Sequence, residues 1–135
     1  MIHKELYIGK WHIEFFFALD GYDDELILET LYDMEASYAK MREANRIMDS
    51  KKKNAGYAYT NPYIKRGMVL IGPVTSSAEF LNTLVHEIHH VAVAIADDLN
   101  VDLDGETPAY IAGDSARDLA ETICLFGCPD CEKHK

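Results

Sequence analysis

The sequence predicts an α+β fold: a small, mainly antiparallel sheet, one long N-terminal helix, a second helix carrying a histidine motif, and a C-terminal helix. Three observations carry this. Residues before position 20 alternate in strand fashion, residues 24–50 repeat at helical spacing, and two later apolar stripes each follow a helix-start signal.

Leu6 to Leu19 mixes alternation with aromatic and branched residues (Tyr7, Ile8, Trp11, Ile13, Phe15, Phe17), which predicts a hairpin turning near Gly9-Lys10. Asp20-Gly21-Tyr22-Asp23-Asp24 is a turn rich in capping residues. Beyond it, Leu26, Leu28, Leu31, Met34, Tyr38, Met41 and Ile47 recur at helical spacing and predict one amphipathic helix from about Asp24 to Ser50. Asn54-Ala55-Gly56 reads as a turn into a short strand through Tyr57 and Tyr59 that ends at Asn61-Pro62. Met68-Val69-Leu70-Ile71 is a further strand, closed by Gly72-Pro73. Ser76 and Glu79 have capping-box spacing and open a helix to about Asp97. Asp97 to Gly105 is an acidic loop. A last helix starts at Glu106 or Thr107, helped by Pro108 in its first turn, and runs to about Phe126, with Gly127 as its stop. Residues 1–126 therefore form one domain and residues 127–135 a cysteine-containing tail.

Composition narrows the function classes. Hydrophobic residues make up 48% of the 135-residue chain, enough for a substantial core. The formal net charge of −10 repels phosphate backbones, so nucleic acid is not an expected partner; Lys51-Lys52-Lys53 is too short to overturn that. No stretch approaches the roughly 20 apolar residues of a membrane span, and Phe15-Phe16-Phe17-Ala18-Leu19 reads as a buried strand, not a signal peptide. Three cysteines clustered near the C-terminus make no disulfide framework for the domain and suit a reducing compartment, so a cytoplasmic location is expected.

The chemistry concentrates in His86-Glu87-Ile88-His89-His90. Residues four apart on a helix share a face, so His86 and His90 can grip one zinc ion. Glu87 projects beside that ion, where a carboxylate can move a proton between water and a leaving amine. This is the H-E-x-x-H pattern. A helix bearing solvated histidines and a glutamate would spell the same letters by chance. His89 lies on a different face and is expected to be structural. A catalytic zinc needs a third protein ligand. Glu106, at the entrance of the next helix, leads and Asp114 follows; Asp97, Asp98, Asp102, Asp104, Asp118 and Glu121 are the other carboxylates nearby. An N-terminal glutamate stabilised by the helix dipole is the plain alternative for Glu106. Tyr110, one turn after Glu106, could stabilise an oxyanion or could equally be a packing aromatic.

The run His86 to His90, followed by Gly105-Glu106-Thr107-Pro108-Ala109-Tyr110, resembles the zincin metallopeptidases, and their gluzincin branch most. It is also similar to short metallopeptidases of phage and mobile elements. The resemblance covers about Ser76 to Ile123. It implies zinc at His86, His90 and Glu106, with Glu87 as general base. It further implies a strand just before the motif helix, here Met68 to Ile71, whose edge could bind an extended peptide. The gap from His90 to Glu106 is short for many gluzincins, and their usual extended motif around that glutamate is missing.

Two weaker signals remain. Asn100 to Gly105 has the look of half an EF-hand loop, but Ile111 stands where the twelfth-position glutamate belongs, so it reads as an acidic turn. Cys124, Cys128, Cys131 and His134 could form a small structural zinc knuckle, or Cys124 could be a buried helix residue. The expectation is thus a zinc-dependent hydrolase of peptide or protein substrates. The rival is a non-catalytic module that uses the same fold for protein recognition.

Overall fold

The computed structural model describes residues 1–127. The chain is α+β: a four-stranded mixed sheet with five helices among the described residues. Strands β1 (Ile2–Ile8) and β2 (Trp11–Phe17) form the expected hairpin, with Gly9 turning it at a φ of 57°. Helices α1 (Asp24–Asp33) and α2 (Tyr38–Ser50) follow, then β3 (Gly56–Asn61), β4 (Arg66–Ile71) and α3 (Ser77–Asp98). Helices α4 (Glu106–Asp118) and α5 (Ala120–Gly127) end the described chain. The sheet order is β1-β2-β4-β3; β1–β2 and β3–β4 are antiparallel, whereas β2–β4 is parallel.

Both faces of the two central strands are covered, which explains why β2 reads as a near-continuous apolar run. Trp11, Ile13, Phe15, Phe17, Val69 and Ile71 pack against Phe80, Leu84, Ile88 and Val91 of α3, joined by Ile111 of α4. On the other face Phe16, Tyr57, Met68 and Leu70 meet Ile27 and Leu31 of α1 and Ala44 and Met48 of α2. The result is a three-layer helix–sheet–helix arrangement.

Two expected helices are each divided. The long helix over 24–50 breaks between Asp33 and Tyr38. Glu35 adopts a φ of 60°, its N–H reaches the Tyr32 carbonyl at 3.0 Å, and the Ala36 N–H reaches the Leu31 carbonyl at 3.0 Å. That is a Schellman ending built on glutamate instead of glycine. The buried Asn61 amide donates to the freed Met34 carbonyl at 3.0 Å, and Ser37 then caps α2 by accepting from the Lys40 N–H. The apolar stripe continues across the break because α1 and α2 pack on the same face of the sheet. The C-terminal helix is likewise interrupted at Leu119, whose side chain is buried in the core cluster with those of α3.

The motif helix α3 is held at both ends. Ser76 accepts from the Glu79 N–H at 3.1 Å. At the far end Asp98 accepts from Trp11 Nε1 at 3.1 Å and pairs with Lys65 Nζ at 2.6 Å, tying the helix to β2 and to the turn before β4. These contacts fix where along the sheet the histidines fall. No helix among the described residues is long and apolar enough to cross a membrane.

The Lys65 hydrogen bond, with that from Trp11, holds the Asp98 carboxyl below its usual value against the opposing effect of burial. A carboxyl depressed in the folded state stabilises it above the unfolded value of about 3.9, and that contribution disappears as pH falls through the folded value. Asp98→Asn is expected to lower the urea midpoint at pH 7, with the two proteins converging as pH falls through the folded value of Asp98. An equal gap above and below that value would make the contribution one of packing and not of charge.

Candidate metal centre and groove

Helical periodicity divides α3 into three strips. Leu84, Ile88, Val91 and Ile95 point into the core, His86 and His90 point outward, and Glu87 lies at the border between the two. The His86 and His90 Nε2 atoms converge to 3.1 Å, with the rings nearly perpendicular at 80°. Two nitrogens bound about 2.05 Å from one tetrahedral zinc lie about 3.3 Å apart. The two rings are thus within hydrogen-bond distance of each other, and that separation is close to the one two ligands of a single ion would have. His89 points elsewhere, its ring centroid 6.4 Å from that of His90.

Glu87 is buried, 6% exposed, although its two histidine neighbours are exposed. Burial pushes its carboxyl above the usual value, while the charges of His86 and His90 pull the other way. The strand beside it makes this position possible. A Cβ on Gly56 would lie 2.8 Å from Glu87 Cγ, 2.8 Å from Thr83 Cγ2 and 2.9 Å from Glu87 Oε1. Only the missing side chain at Gly56 lets α3 press so closely on β3.

Strand β3 is an edge of the sheet, and α2 and α3 rise on its two faces. Between them a groove runs the length of β3. Lys52, Asn54, Asn82 and His86 line it at the start of the strand, and Glu43, Thr60 and His90 at its other end, with Ile47, Gly56 and Glu87 common to both halves. Tyr57 donates to the Lys40 carbonyl at 3.3 Å, anchoring α2 to the strand. Burial first, then the charges of Glu43 and Tyr59, push its hydroxyl up to about 12, so it stays protonated.

The strand edge expected to face a peptide is corrected here. Met68 to Ile71 lie in β4, paired on both sides by β2 and β3, so β4 has no free edge; β3 does. The cause is the parallel β2–β4 pairing, which a hairpin-by-hairpin reading of the sequence does not anticipate.

The other expected site residues do not join the pair. Glu106 is exposed at the start of α4, and Tyr110 (66% exposed) and Asp114 follow on the same helix. Helix α4 packs on α3 and over β1, at the opposite edge of the sheet from β3. Among the described residues, no third histidine, cysteine or carboxylate ligand atom clusters with those of His86 and His90. The one three-ligand group, His3, Glu5 and Glu14, lies on the hairpin, with ligand atoms within 4.8 Å of one another. There Glu14 already serves Arg66 and His3, and Glu5 serves His12, so the carboxylates are engaged by the protein's own cations and imidazoles. Cys124 belongs to α5, while Cys128, Cys131 and His134 of the expected knuckle lie outside the described residues.

Lys52, Glu43 and Gly56 were missed by sequence reasoning as groove residues. Gly56 carried the only signal, a turn glycine directly before a strand. No protein-family model, curated protein or solved structure matches this chain.

Gly56→Ala is expected to cost about 1–3 kcal/mol in urea unfolding by overpacking the α3–β3 contact. A loss below about 0.5 kcal/mol would mean that Glu87 and Thr83 swing away freely.

Proposed function

We propose that this protein is a metal-dependent hydrolase, a zinc peptidase whose ion is held by His86 and His90 and whose proton carrier is Glu87. The observation that carries the reading is the convergence of the two Nε2 atoms to 3.1 Å directly beside a buried carboxylate, in a groove along the free edge of β3. Zinc, when bound, supplies Lewis-acid polarisation of the scissile carbonyl and of water.

The chain's own residues do the rest. Strand β3 offers unpaired backbone N–H and C=O groups to an extended peptide, which can add to the sheet and lay a peptide bond across Glu87. The raised carboxyl of Glu87 suits a group that accepts a proton from water and hands it to the leaving amine, because proton transfer is most efficient when donor and acceptor strengths approach one another. Its burial limits competing contact with bulk water. The histidine pair provides two of the three ligands a catalytic zinc needs. Glu106, the expected third, stands on the helix at the other flank of α3, so the third position is left open in this reading.

Zinc content and peptide turnover test the proposal together. The wild type is expected to hold about one zinc per chain, and a His86→Ala/His90→Ala variant none. Glu87→Gln is expected to keep the metal and lose turnover by about a hundredfold or more. Full activity in Glu87→Gln would sink the mechanism. Persistence of zinc in the double variant would move the metal elsewhere in the chain.

Glu106→Gln is expected to leave zinc affinity within about twofold of wild type, because α4 does not border the groove. Removing a true ligand would weaken it by far more than the 10–100-fold typical of an outer-shell partner. A loss on that scale, read by competition with a chromophoric chelator, would put Glu106 on the metal.

A further inference from the structure

The two ends of the groove differ in charge. At the start of β3 the wall carries Lys52, the only lysine or arginine lining the groove among the described residues. Its ammonium makes no ion pair with any described acid, in a chain whose net charge is −10. The side-chain amide of Asn82 lies at the same end. At the other end stands Glu43, whose carboxylate holds Lys40 at 3.4 Å and remains half exposed. One end thus presents an unpaired cation, and the other a carboxylate already paired with Lys40, so an anion is favoured at the Lys52 end.

Direction follows from the strand. Antiparallel pairing is somewhat more stable per residue than parallel pairing, so a peptide adding to β3 runs opposite to it. Its N-terminal half then lies by Thr60 and Glu43, and its C-terminal half by Gly56 and Lys52. The reverse direction would carry any acid on the C-terminal half away from Lys52 to the Glu43–Lys40 pair, which offers no unpaired cation.

Resting on the hydrolase reading above, we propose that the groove selects extended peptides bearing a carboxylate on the C-terminal side of the bond held at Glu87, and that Lys52 is the residue that reads it. An aspartate or glutamate side chain and the peptide's own C-terminus offer the same chemistry. Lys52 is exposed just after α2, and only its backbone N–H, to Ser50, is hydrogen-bonded among the described residues, so changing its side chain leaves the fold and the histidine pair alone.

The test uses the zinc-loaded full chain carrying Glu87→Gln, so that binding is read without turnover. Fluorescein-labelled ten-residue peptides share one uncharged sequence and differ in a single feature. They carry a glutamate after the centre, a glutamate before it, a lysine after it, or a free C-terminal carboxylate in place of an amide. By fluorescence anisotropy at low salt, the peptide with glutamate after the centre is expected to bind about fivefold more tightly than the neutral amide, the yield of one favourable exposed ion pair. Lys52→Glu should reverse the order, Lys52→Gln should level it, and 1 M salt should erase it. A gain confined to the free-acid peptide would assign the preference to the chain terminus.

Equal binding of all peptides, no binding, a preference for glutamate before the centre, or a preference that survives Lys52→Glu would each overturn the proposal. Wild-type cleavage of the same peptides separates the two readings. Uniform cleavage of all would overturn the recognition and leave the hydrolase. A charge preference in binding without any cleavage would overturn the hydrolase and leave the recognition.

Discussion

The groove depends on one close approach, that of α3 to β3 at Gly56. Helix and sheet ordinarily stand apart by the thickness of the side chains between them. Here Thr83 and Glu87 occupy the space where a strand side chain would project, since a Cβ on Gly56 would meet both at 2.8 Å. This contact buries a glutamate that would otherwise sit at the surface, and it brings the strand's unpaired edge alongside the histidines. Asp98 and Ser76 fix α3 along its axis, so the contact falls at Glu87 and not a turn away.

Layering then decides what the groove can contain. With α1 and α2 on one face of the sheet and α3 to α5 on the other, only an edge strand can have a helix on each side and still be open between them. The strand order gives that place to β3. At the opposite edge, β1 is flanked by α4 on one face, but its other face carries His3, Glu5 and Tyr7, which no helix among the described residues packs against closely. The sheet therefore has one walled edge and one polar, half-uncovered edge, and the histidine pair borders the walled one.

What the sequence made legible was local. The hairpin at Gly9, the Ser76 cap and the run of the motif helix all follow from interactions within a few residues, and all appear where the letters put them. The break at Glu35 was hidden because the ending uses an unfavoured residue in a left-handed conformation, held by the buried Asn61 amide from 26 positions beyond it. Helix periodicity sees neither. The parallel pairing of β2 with β4 is a long-range choice made by packing, and it moved the free edge from β4 to β3. At the site, helical spacing alone paired His86 with His90 and set Glu87 beside them. The flank on which α4 packs, and with it the separation of Glu106 from the pair, depends on tertiary contacts that no spacing encodes.

The contrast between a buried Glu87 and exposed histidines has a simple geometric origin. Successive helix residues are turned by about 100°. A residue following the outward-facing His86 therefore lands near the margin of the core, and one three positions further on returns to the face of His86. The H-E-x-x-H order thus places a carboxylate at the boundary between water and protein, and its two histidine neighbours in water. On an isolated helix that boundary would be solvated and the glutamate ordinary. Packing β3 against it, through a residue with no side chain, removes the water and raises the carboxyl's proton affinity. The sequence pattern supplies the angle, and the fold supplies the environment that lets the angle matter.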